Sequence, residues 1–137
     1  MMKRNLSEQF HLPSSARVLL VDNDEVDLDY HARLLRGQGH TVLACPSYSA
    51  GIELAAHGEF DFAMVGQGGP AFEGRSVLER LRQRQPSIPF VVLARAIEAP
   101  CYLEAMNLGA ADYLEKPVHP AEMKRILREH LETPQPV

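Results

Sequence analysis

Five short apolar runs divide the chain: Arg17 to Val21, Thr41 to Cys45, Phe62 to Val65, Pro89 to Leu93 and Asp112 to Leu114. Most are apolar throughout and bounded by polar, glycine or proline residues, which is the pattern of strands buried on both faces. Between them the apolar positions change to helical spacing. Val26, Tyr30 and Leu34 repeat at i, i+4 and i+8 beside Leu35, with Gly37 and Gly39 as stop signals. Ser47 or Ser49 caps a second helix through Ala50, Leu54 and Ala55 that stops at Gly58. A third helix carries Val77, Leu78 and Leu81 as far as about Gln85, and Pro100 opens a fourth through Leu103, Met106 and Leu108. The last carries Met123, Ile126, Leu127 and Leu131.

Strands that alternate with amphipathic helices call for a parallel sheet, because each crossover helix must cover one of its faces. The predicted fold is therefore α/β: a doubly wound, five-stranded parallel sheet with alternating helices on both faces. Sites in such sheets lie beyond the carboxyl ends of the strands. That rule brings Asp22-Asn23-Asp24, Cys45-Pro46, Gly66-Gln67-Gly68-Gly69, Ala94-Arg95 and Lys116-Pro117 to one rim. Residues 1–15 lack sustained periodicity and are read as an N-terminal arm able to dock through Leu6, Phe10 and Leu12. Residues 16–131 form the domain, and 132–137 read as a tail or the start of a linker, with an output domain expected beyond Val137.

Composition narrows the class. A chain of 137 residues with 45% hydrophobic and 23% charged residues fits one globular domain. No apolar run approaches the roughly 20 residues of a membrane span, and the N-terminus is broken by polar residues, so a cytoplasmic protein without membrane contact is expected. Cys45 and Cys101 lack metal-ligand spacing and are read as buried, non-catalytic thiols. A net charge of −4 gives no reason for direct nucleic-acid binding, the one local exception being a basic stripe of Arg75, Arg80, Arg82 and Arg84.

Three stretches carry a family resemblance. They are Arg17-Val18-Leu19-Leu20-Val21-Asp22-Asn23-Asp24-Glu25, Ile88-Pro89-Phe90-Val91-Val92-Leu93-Ala94-Arg95, and Ala105-Met106-Asn107-Leu108-Gly109-Ala110-Ala111-Asp112-Tyr113-Leu114-Glu115-Lys116-Pro117. In order and spacing they resemble the receiver domain of response regulators in bacterial two-component systems, over roughly Arg17 to Leu131. The resemblance implies the flavodoxin-like (βα)5 fold, a phosphorelay role and a non-enzymatic signalling module. It further implies a magnesium ion held by acidic residues, an aspartate ending the third strand that takes a phosphoryl group from a histidine kinase, and a hydroxyl and a lysine that grip the phosphoryl oxygens.

Matched residue by residue, this chain departs from that pattern. Asp22 takes the first acidic position, Asn23 the next, with Asp24 a possible substitute; the acceptor position is Gly66. Between Phe62 and Phe72 there is no Asp or Glu. Asp61 lies roughly 16 Å away along an extended strand, at the opposite end. Glu73 could serve as a non-standard acceptor only if its loop folds back. The hydroxyl position is Ala94, and the small residue expected after it is Arg95. Lys116 remains, read as the ion-pair partner of Asp22 or Asp24, followed by Pro117 at the family's cis peptide position. Tyr113 matches the switch aromatic. Asp22, Asn23, Asp24, Gly66, Ala94 and Lys116 thus form a degenerate acidic pocket, with weak magnesium binding at Asp22 and Asp24 at most, no cofactor and no phosphorylation.

The expected function is an atypical receiver acting by protein–protein interaction. The partner, or a second copy as a homodimer, is expected on the face of the fourth helix, fifth strand and fifth helix, with Arg95, Tyr102, Tyr113 and Pro117 as switch or interface candidates. The alternative is a small ligand or nucleotide at the loop Gly66 to Gly69, which with Pro70-Ala71 fits a loose G-x-G-x-x-A pattern.

Overall fold

The structure is a computed structural model that describes residues 15–131. The docking residues expected in the arm, Leu6, Phe10 and Leu12, and the tail 132–137 lie outside the described residues. Five strands alternate with five helices: β1 (Arg17–Val21), α1 (Glu25–Gly37), β2 (Thr41–Cys45), α2 (Tyr48–His57), β3 (Phe62–Gly66), α3 (Arg75–Arg84), β4 (Phe90–Ala94), α4 (Ala99–Asn107), β5 (Asp112–Glu115) and α5 (Pro120–Leu131). All strand pairs are parallel, in the order β2-β1-β3-β4-β5. The chain winds outward in both directions from β1, so its crevice opens between the ends of β1 and β3.

The strand period of two divides the core. Leu19 and Val21 of β1 face Ala55 of α2, Val77, Leu78 and Leu81 of α3, and Cys101 and Ala105 of α4. Val18 and Leu20 face the other way, onto Leu28, Ala32 and Leu35 of α1 and Met123, Ile126 and Leu127 of α5. β3 and β4 are buried at all five positions, as their uninterrupted apolar sequences require. Both cysteines are buried thiols.

Two helices turn different faces inward than their largest apolar residues suggest. In α1 the buried stripe is Leu28, His31, Ala32 and Leu35, leaving Val26 79% exposed and Tyr30 on the rim. Tyr30 is held there because its hydroxyl donates to the Val118 carbonyl at 2.9 Å. In α4 the small residues Cys101 and Ala105 pack on the sheet, and Leu103 is 59% exposed. Close approach of helix to sheet selects small side chains there. Ser47, rather than Ser49, caps α2 by accepting from the Ala50 N–H.

The arginine stripe resolves into latches. Arg75 pairs with Glu104 and Glu79, Arg82 donates to the Leu108 carbonyl, and Arg84 reaches Glu59 at 3.4 Å. The contacts of Arg75 with Glu104, of Arg82 and of Arg84 tie α3 to its neighbours, while Arg80 stays exposed; three of the four arginines are thus engaged within the fold.

Candidate functional site

The rim forms as the strand ends predict. β1 ends at Val21, and the next residue, Asp22, is only 1% exposed. Its Oδ2 receives the Lys116 ammonium at 2.9 Å, and its Oδ1 accepts from the Asp24 N–H at 3.0 Å. The same ammonium also lies 2.9 Å from Asp27 Oδ2, on the first turn of α1. Burial alone would depress the Lys116 pKa, but the hydrogen bonds to Asp22 and Asp27 raise it above its ordinary value. The lysine is a permanent cation shared between two carboxylates.

Asp24 has a different partner from the one expected. It is the N-cap of α1, its Oδ1 accepting from Val26 at 3.0 Å and Asp27 at 3.1 Å, while its Oδ2 pairs with Arg95. The Asp27 N–H, ahead of Arg95, lowers its pKa. Lys116 therefore pairs with Asp22 and Asp27 rather than with Asp24, because the capping geometry turns the Asp24 carboxylate onto the helix end. Asn23 lies between them on the exposed turn.

Gly66 closes β3 directly beside Asp22. A Cβ at this position would stand 3.0 Å from Asp22 Cγ and 3.2 Å from the Tyr48 hydroxyl, closer than side chains normally approach. Tyr48, the first residue of α2, donates its hydroxyl to the Gly66 carbonyl at 3.0 Å. Burial, then Asp22 and Glu73, pushes this phenol well above its ordinary pKa. The phenol thus fills space beside the acceptor position. Gly74, which precedes α3, is equally constrained: a Cβ there would lie 2.2 Å from the Gly66 carbonyl oxygen.

The glycine loop folds back, as a Glu73 acceptor would require, but it sets that carboxylate beside Gly68 and Gly69, and the side chains nearest a Cβ at Gly66 are Asp22 and Tyr48. Glu73 Oε1 accepts from the Gly69 N–H at 2.7 Å, the Gln67 N–H goes to the Leu93 carbonyl and the Gly74 N–H to the Gln67 carbonyl. These amides, which a bound phosphate would need, are committed to the protein. Asp61 is at the far edge, accepting from the Arg17 N–H at 2.7 Å.

Ala94 ends β4 buried, and the Lys116–Pro117 peptide bond is cis. Tyr113 lies inside rather than on the outer face: it is buried, and its hydroxyl donates to Gln67 Oε1. Arg95 and Pro117 are exposed at the rim, and Tyr102, 42% exposed, lies at the surface of α4 with Leu103 and Met106. Asp27, Tyr48 and Glu98 take part in the rim without having been singled out, whereas the strand-end rule brings Gln67 there with no role for its side chain. Asp27 had a signal, three residues after a capping aspartate; Tyr48 and Glu98 had none in spacing or charge.

Residues 18–128, which hold the aspartate after β1, the crevice at β3 and the lysine after β5, match the response regulator receiver domain. The chain belongs to that family. Among curated relatives, the response regulator protein FleR of Pseudomonas aeruginosa is 28% identical over 116 residues, covering 85% of this chain and 24% of that protein. The transcriptional activator protein PfeR of the same species is 34% identical over 112 residues, covering 80% of this chain and 35% of that protein. The chain thus spans about a quarter to a third of the length of these two relatives. The crystal structure of a CheY-like receiver domain protein from Methanospirillum hungatei superposes with a TM-score of 0.78 at 25% identity, covering 86% of this chain and 94% of that one.

The family implies a magnesium ion, and the donors present do not fit it. All four oxygens of Asp22 and Asp24 already have partners in Lys116, Arg95 and backbone N–H groups. Among the described residues no three His, Cys, Asp or Glu side chains are grouped to hold a metal. An octahedral ion with oxygen ligands would have to displace both cations. No described helix is long and apolar enough to cross a membrane.

Proposed function

We propose that this receiver signals without aspartyl phosphate, through contact with another protein. The observation that supports this most is the tip of β3. Gly66 has no nucleophilic oxygen, and the space beside its Cα is taken by the Asp22 carboxylate and the Tyr48 hydroxyl. Phosphoryl transfer to a carboxylate needs that nucleophile and a cation to neutralise charge between it and the incoming phosphate. Here Lys116 and Arg95 neutralise the residual carboxylates instead, so the pocket acts as a structural ion cluster and not as a receiver of charge.

The output is the face of α4, β5 and α5, where Tyr102, Leu103 and Met106 are exposed on α4. Its occupant is a protein partner, an output domain C-terminal to Val137 included; a second copy of the chain is the competing occupant. The cytoplasm is the proposed compartment, and the net charge of −4 argues against direct nucleic-acid contact by this domain.

Incubation with a small phosphodonor and magnesium, followed by intact-mass measurement, tests the reading. The expected result is an unchanged mass. A gain of one phosphoryl group that disappears on substitution of Asp22, Asp24 or Glu73 would overturn it.

A further inference from the structure

Gln67 is one of three buried polar or charged residues among the described residues, and 2% exposed. The other two, Asp22 and His31, bond to the site lysine and to the backbone after it. Gln67 points the other way. Its Nε2 donates to the Gly69 carbonyl and to Glu98 Oε1, both at 3.2 Å, and its Oε1 accepts from the Tyr113 hydroxyl. The amide can sit in only one orientation, because the flipped form would aim its oxygen at a carbonyl and a carboxylate. The Tyr113 hydroxyl in turn accepts from the Glu98 N–H at 3.4 Å. Glu98 is the N-cap residue of α4. Gln67, Tyr113 and Glu98 therefore close a ring of hydrogen bonds that joins the loop after β3, the start of α4 and β5.

We propose that Gln67 is a positioning residue that holds Tyr113 inside the fold and so sets the exposed face of α4. The ring of Tyr113 carries that setting outward: it meets Tyr102 edge to face, with centroids 5.6 Å apart and planes at 88°. Tyr102 shares its helix with Leu103 and Met106. Ala94 offers no hydroxyl on this side of the rim, and Gln67 supplies the acceptor from the loop after the neighbouring strand instead. Loss of the amide leaves the Tyr113 hydroxyl without its acceptor and the Glu98 carboxylate without its donor, and both groups regain partners only by turning to water. This deepens the output-face reading by naming what sets the face. The two fail separately, since phosphorylation is read by mass and the latch by the state of one ring.

The test is 19F NMR of the full chain labelled with 3-fluorotyrosine, in which Tyr113→Phe assigns one of four tyrosine resonances. The native chain is expected to show a single buried Tyr113 resonance. Gln67→Met should add a solvent-exposed Tyr113 resonance and shift that of Tyr102. Gln67→Glu sets a carboxylate against Glu98 and the Gly69 carbonyl and should do the same, whereas Gln67→Glu combined with Glu98→Gln exchanges donor and acceptor between the two side chains and should recover part of the buried resonance, the Gly69 carbonyl still facing an oxygen. A merely structural role for Gln67 would not show that rescue. An unchanged Tyr113 resonance in folded Gln67→Met, or a double variant no better than Gln67→Glu, overturns the proposal. Where Gln67→Met does not fold, Tyr113→Phe reads the ring of bonds from its other end: the Gln67 side-chain amide hydrogens should exchange with solvent roughly tenfold faster or more as the network loosens, and an unchanged rate overturns it.

Discussion

Replacing Lys116 with methionine keeps the length of the side chain and removes the charge that Asp22 and Asp27 share. Asp22 is 1% exposed and would keep a single donor, the Asp24 N–H at 3.0 Å. Breaking a buried ion pair from one side costs about 3–5 kcal/mol, because the remaining charge is left in a poorly solvated place. A domain of this size has about 5–15 kcal/mol in total. The melting temperature should therefore fall by roughly 10–20 °C, at about 4 °C per kcal/mol. Asp22→Asn should cost less, since Lys116 keeps Asp27 at 2.9 Å. In the double variant the methionine no longer strands a buried charge, so the combined loss should be smaller than the sum by at least about 1.5 kcal/mol. Urea melts followed by circular dichroism on the four proteins measure this cycle. The raised Lys116 pKa keeps the pair intact below its ordinary value near 10.5, and its contribution is lost only as pH rises through the higher folded value. The penalty should accordingly be constant from neutral to mildly basic pH. A Lys116→Met protein within about 0.5 kcal/mol of the native one, or strictly additive effects, would refute the view that this lysine is chiefly a counter-ion.

Further outcomes follow from the same geometry. Gly66→Ala should cost about 1–3 kcal/mol from crowding against Asp22 and Tyr48, and Gly66→Asp at least about 1 kcal/mol more in metal-free buffer from like charge; equal stability of the two would count against a charge-saturated pocket. Millimolar magnesium should leave the native melting temperature unchanged, and a rise of several degrees would mean that the ion displaces Lys116 or Arg95. Burial lowers the pKa of His31 and of His40, whose ring nitrogens accept from the Val118 and Ala16 N–H groups. Below the ordinary value of 6.5 the unfolded chain takes up protons that the folded chain refuses, so stability should fall as pH drops from there towards the folded values. His31→Gln should flatten the dependence of melting temperature on pH between 7 and 5, and an unaltered slope would exclude this histidine as a cause.

The strands were legible because a sheet covered on both faces needs apolar residues at every position, and β3 and β4 meet that demand without interruption. Helix faces were harder. Val26, Tyr30 and Leu34 outweigh Ala32 and His31 in apolar size, yet α1 buries the latter because the sheet accepts a close approach and Val118 offers His31 a bond. At the rim, Asp22 and Lys116 meet at the strand ends and form one of the two ion pairs expected of that lysine. Asp24 does not share it, since its carboxylate is drawn to the helix end and Asp27 takes its place. Gln67, Tyr48 and Glu98 had no periodic or charge signal, and their roles depend on distances across three separate loops.

The bent-back carboxylate of Glu73 has one more implication. It is a competitor attached to the loop it occupies, a few residues from the amide it engages, so its local concentration is on the order of millimolar or higher. A free phosphate or nucleotide seeking the Gly69 amide would first have to evict this resident anion, at every encounter and without help from dilution. Such a loop discriminates against soluble anions by tethering its own.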